Sequence, residues 1–138
     1  MPIHYHPEGW EGDTDPTGRI HSADAYLRST WPLRWDYVDY YPAPIPPVDW
    51  TTDVNGGLHV ELLAQLDRLR EGLDPRPDHL YGWLPGDTFW GNGLAWVGSF
   101  AMPAHTAYGN DTDGGEDTSR YRRTFAHELE HNLSLIHI

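Results

Sequence analysis

Arg123-Thr-Phe-Ala-His127-Glu128-Leu-Glu-His131-Asn132, close to the C-terminal end of this 138-residue chain, is the stretch from which the rest is read. It predicts a helix, because Tyr121, Phe125 and Leu129 recur every four residues and form one apolar side. At about 100° per residue, His127 and His131 fall about 40° apart, one turn along the other side. His-Glu-x-x-His is the spacing at which two imidazoles converge on one zinc ion with a carboxylate beside them. Glu128 is then placed to take a proton from a water that the ion polarises. The plainer alternative is a solvated helix end whose His and Glu face water. The apolar stripe opposite them favours the metal.

The remaining composition limits what such a site can serve. Asp and Glu total 21 against nine Lys and Arg, a net charge of −12, which argues against nucleic acid and anionic membrane as partners. No apolar run reaches membrane-spanning length, and no signal peptide is visible at Met1. The absence of cysteine excludes a thiolate metal site and a disulfide framework, leaving His and carboxylate as ligands. Seven Trp and eight Tyr supply the large surfaces a single core needs.

Going back from the helix, Thr118 or Ser119 would cap it, and Asn110 to Asp117 reads as a polar loop. That loop fails the twelve-residue calcium pattern, so solvated carboxylates are expected and bound calcium is the alternative. Thr106 to Gly109, Leu94 to Gly98 (after the Gly91-Asn-Gly93 turn) and His79 to Leu84 read as short strands. Asp74-Pro-Arg-Pro-Asp78 ends a helix that starts after Asn55-Gly56-Gly57 and reaches about Gly72, with Leu58, Leu62, Leu66 and Leu69 as its core row. Tyr41 to Pro47 carries four prolines and reads as an extended surface linker, with docking of a polyproline-binding partner as the alternative. Trp35 to Tyr41 predicts a strand. Ala23 to Trp31 predicts a helix capped by Ser22, and Gly9 to Gly18 a loop. Pro2 to His6 predicts a first strand that sets His4 and His6 on one face. They are expected to be surface residues, because no carboxylate or third His follows at ligand spacing. Strand, helix, strand, helix, three strands and a last helix make an α/β layer on a largely parallel sheet.

That order, ending in Thr124-Phe-Ala-His-Glu-Leu-Glu-His-Asn132, resembles the N-terminal subdomain of the metzincin zinc metallopeptidases, secreted bacterial reprolysin-like members in particular. Tyr81-Gly-Trp-Leu-Pro85, Gly91-Asn-Gly93 and Gly93-Leu-Ala-Trp-Val-Gly98 match the segments that precede the helix in those proteins. The resemblance implies a zincin-like fold: a twisted, mostly parallel sheet with an antiparallel edge strand, and an active-site helix. It implies Zn2+ held by His127 and His131, Glu128 as general base, and peptide-bond hydrolysis outside the cell. Leu94, Ala95 and Trp96 would bind an extended peptide or protein substrate along the sheet edge, while core packing is the plainer account of Trp96 and Val97.

Family members carry Gly where this chain has Glu130 and Ser134, the second Gly turning the chain to deliver a third His. His137 falls at the third-ligand spacing, but on a continuous helix it would sit about 80° off the face and roughly 9 Å beyond His131. Leu133-Ser-Leu-Ile-His-Ile138 also translates a string resembling a transposon end used in sequencing libraries. Residues 1–132 are therefore expected to be the upper part of a catalytic domain and 133–138 a non-native tail. As such a fragment the chain is expected to be inactive. The competing function is a non-catalytic aromatic-rich module, for carbohydrate as an example, with Trp83, Trp90 and Trp96 as stacking platform.

Overall fold

The computed structural model of the chain describes residues 1–16, 27, 29, 42–43, 45–98, 104–111 and 120–132. The helix expected at Ala23 to Trp31 lies outside them except for Leu27 and Ser29, which are helical. The strand expected at Trp35 to Tyr41, the caps Thr118 and Ser119, and the tail with His137 lie outside them as well.

Strands β1 (Ile3–Tyr5) and β2 (Val48–Trp50) pair in parallel. Helix α1 (His59–Glu71) follows a kinked turn over Val54–Leu58, in which Gly57 takes φ 91°. Strands β3 (Leu80–Leu84), β4 (Gly93–Ala95) and β5 (Thr106–Asn110) form a second sheet in the order β3-β5-β4, and α2 (Arg120–Asn132) completes the described part. β3 and β5 are parallel, whereas β4 runs antiparallel to β5 and is the edge among the described residues. A bridge between Pro2 and Trp83 joins β1 to β3. The architecture is mixed α/β, built on parallel pairs with one antiparallel edge.

β3 explains how the two helices share this sheet. Its side chains alternate in direction, so Leu80 and Leu84 enter the core beneath α1 while Tyr81 and Trp83 enter the core beneath α2. Both faces are covered, which is why the strand reads apolar throughout instead of alternating with polar residues. Leu62, Leu63 and Leu66 of α1 pack with Ile3, Tyr5, Val48 and Tyr108. Gly82 permits that close approach, since a Cβ there would lie 2.7 Å from Ile3 Cδ1. On the other face Phe125 meets Tyr81 edge-on at 4.6 Å between ring centres and Trp83 at 5.3 Å. Tyr121, Phe125 and Leu129, the predicted apolar row, are all buried.

Three expectations are corrected. Val48–Trp50 is a strand that the sequence reading passed over beside the proline run. Leu58 stands before α1 in the kinked turn and is 38% exposed, whereas Leu63 is buried at 1%. Asn110 and Asp111 are not solvated loop: Asn110 ends β5, and both are buried. No helix among the described residues is long and apolar enough to cross a membrane.

Candidate metal centre and its cleft

α2 docks through its aromatic side and turns His127, Glu128 and His131 toward β4. Its C-terminal end is pinned twice. Gly98 N donates to His131 O at 3.1 Å. Buried Asn132, with its amide nitrogen turned inward, donates to Thr106 O at 3.0 Å and Trp96 O at 2.9 Å. Its N-terminal end is held by Arg120, which contacts Asn92 Oδ1 and sits 3.6 Å from Asp87. Asn110 shapes the loop that carries Asn92: its Oδ1 accepts from Phe89 N at 2.8 Å and its Nδ2 donates to Phe89 O at 2.6 Å. Asp111 accepts from Gly86 N at 2.7 Å in the same loop. None of Asn92, Asn110, Asp111 and Asn132 was singled out from sequence, because each acts by closing backbone groups that only the fold brings near.

The two imidazoles meet. His127 Nε2 and His131 Nε2 are 3.1 Å apart, with the ring planes at 76°. Two nitrogens about 2.0–2.1 Å from a tetrahedral zinc are separated by roughly 3.3 Å, so the pair fits the bite of that ion with little adjustment. His127 is exposed and His131 half-buried, as accessible ligands must be. Among the described residues no third His, Asp or Glu comes within ligand reach of both nitrogens. Glu128 is therefore a neighbour of the pair and not a ligand in this geometry.

Glu128 is buried, and desolvation pushes its carboxyl up to about 7 from an ordinary 4.5. The burial has a specific cause. Gly93 brings bare backbone against the carboxylate, where a Cβ would lie 2.8 Å from Glu128 Oε1 and 2.7 Å from Thr124 Cγ2. An open cleft of about 700 Å³ lies between β4 and α2, and His127, Glu128 and His131 all line it.

Leu94 and Ala95 line this cleft as well, and Trp96 does not. Asn110 N donates to Asn92 O at 2.7 Å and Trp96 N to Thr106 O at 3.3 Å. With Leu94 opposite Tyr108, these bonds set the N–H and C=O of Leu94 toward β5 and those of Gly93 and Ala95 toward the side where no described strand lies. Leu94 and Trp96 side chains pack on the α1 core. Of the residues expected to meet a peptide, Ala95 offers backbone that no described strand pairs with, and Gly93, which sequence reasoning does not select, offers the same.

The three indoles of the competing module do not share a surface. Trp83 is buried under α2, Trp96 packs on the α1 core, and Trp90 alone is exposed. No family profile, curated protein or solved structure matches the chain.

Proposed function

We propose that this chain carries the zinc-binding upper part of a peptidase site of the metzincin kind, acting on extended peptides. The carrying observation is that two convergent imidazole nitrogens and a buried carboxylate line one open cleft. A sheet that is parallel except at edge strand β4, with α2 laid along it, supports a zincin-like reading of the fold. The resemblance of Tyr81 to Pro85 and Gly93 to Gly98 to segments of secreted peptidases supports a role outside the cell.

His127 and His131 would hold zinc, which when bound polarises a carbonyl and acidifies a water. The chain's own part is proton handling and alignment. Glu128 takes the proton of the attacking water on its carboxylate, keeps it in a site shielded by Gly93 and Thr124, and returns it to the departing amine. Glu128 lines the same cleft as both imidazoles, where a group that moves this proton must stand. Gly93 and Ala95 align the substrate as an added antiparallel strand.

Among the described residues two imidazoles converge, short of the three protein ligands of a catalytic zinc, so these 138 residues are expected to bind zinc weakly and turn over little. Vigorous, chelator-sensitive cleavage of a fluorogenic peptide by them would overturn that expectation. In a chain continued past Asn132 to a third ligand, Glu128→Gln is expected to abolish cleavage and leave the zinc content unchanged. Turnover surviving that change would refute the general-base role.

A further inference from the structure

We propose that His4, His6 and Asp49 form a second metal site, for a borderline divalent transition-metal ion such as zinc, at the end of the sheet away from the α2 cleft. The strand register builds it. His4 lies directly opposite Asp49 in the β1–β2 pair, and His6, two residues on, returns to the same face. Ile3, Tyr5, Val48 and Trp50 fill the other face as core, so the register of the three candidate ligands is fixed by what is buried behind them. Ladder bonds from Val48 N to Pro2 O at 3.2 Å and from His6 N to Trp50 O at 2.9 Å flank the group.

The side chains already converge. Asp49 Oδ1 is 3.0 Å from His4 Nδ1 and 3.6 Å from His6 Nε2, and the two rings are 4.7 Å apart. One ligand atom from each residue lies within 4.8 Å of the others. Donors about 2.0–2.2 Å from one tetrahedral ion are separated by roughly 3.3–3.6 Å. The aspartate–His6 edge therefore meets the requirement as it stands, and the aspartate–His4 edge opens to it by a small rotation of an exposed ring. Two imidazoles and one carboxylate suit zinc, cobalt, nickel or copper better than calcium or magnesium, which take oxygen ligands. All three side chains are partly open to solvent, leaving positions for water. Such an ion would cross-link two three-residue strands that sequence places far apart, and so hold the β1–β2 pair together. No residue is shared with the α2 centre, and the inference does not rest on the peptidase reading.

The test uses the untagged chain carrying His127→Ala and His131→Ala, stripped of metal and checked for folding by circular dichroism. Titration with Co2+ followed by visible absorbance, and with Zn2+ by calorimetry, is expected to show one ion per chain. Adding Asp49→Asn or His6→Ala is expected to weaken binding about tenfold or more, and to remove the rise in melting temperature that Zn2+ gives the parent. Should the double variant fail to fold, the unmodified chain serves: Asp49→Asn is then expected to lower bound Co2+ by one equivalent. Absence of binding, or binding that neither Asp49→Asn nor His6→Ala weakens, would overturn the proposal, the latter as adventitious capture by surface histidines.

Discussion

At Gly93 the candidate site depends on a missing atom. A Cβ would collide with Glu128 and Thr124 at 2.7–2.8 Å. Gly93→Ala is therefore expected to destabilise the fold by about 1–3 kcal/mol and to displace the carboxylate, and urea denaturation reads the first effect. A stability equal to the parent's would mean that β4 and α2 do not touch as described. Asn132 is the converse case, a buried amide closing two carbonyls, one at the start of β5 and one just past the end of β4. Asn132→Ala leaves Thr106 O and Trp96 O without that donor and is expected to cost about 1–3 kcal/mol. His127, Glu128 and His131 were legible in sequence because helical spacing alone makes them neighbours. Gly93 and Asn132 were not, since their roles arise from contact between elements distant in the chain. Sequence spacing gives His4 and His6 no nearby carboxylate, because Asp49 reaches them only across a strand pair.

Helices α1 and α2 were read close to their observed limits because each carries a row at turn spacing long enough to outweigh local noise. β2 escaped because three residues beside a run of prolines give periodicity little to work on; its one signal is the apolar-polar-apolar order of Val48, Asp49 and Trp50. α2 is held mainly through Phe125, which touches both Tyr81 and Trp83. Phe125→Ala is expected to cost about 3–5 kcal/mol. Because α2 carries both imidazoles, the same change is expected to weaken cobalt binding at His127 and His131, even where circular dichroism shows the rest of the fold retained. Unchanged affinity would separate the site from the packing beneath it.

Across the whole molecule, buried titratable groups make stability depend on pH. Burial lowers the Met1 amine from 8.0 to about 5. His79 is lowered from 6.5 to about 4, first by burial and then by His105 and Arg70, against an opposing pull from Asp78. For both, the unfolded chain takes up the proton first as pH falls, so stability drops between 8.0 and 5 for Met1 and between 6.5 and 4 for His79. Glu128 runs the other way: its raised value removes stability as pH climbs from 4.5 to about 7. His79→Gln isolates one contribution, and this variant is expected to lose less stability than the parent on going from about pH 7 to about 4.5. Equal losses, measured by urea midpoints, would contradict the desolvation of half-buried His79. The parallel character of the sheet followed from the order of elements, yet its joint did not: β1 meets β3 through the Pro2–Trp83 bridge, flanked by bonds from Met1 N to Tyr81 O at 2.7 Å and from Trp83 N to Met1 O at 2.8 Å. Proteolytic trimming of the first five residues would bare the flank of Leu80–Leu84, an apolar ribbon with unsatisfied amides, and present it as a template for self-association.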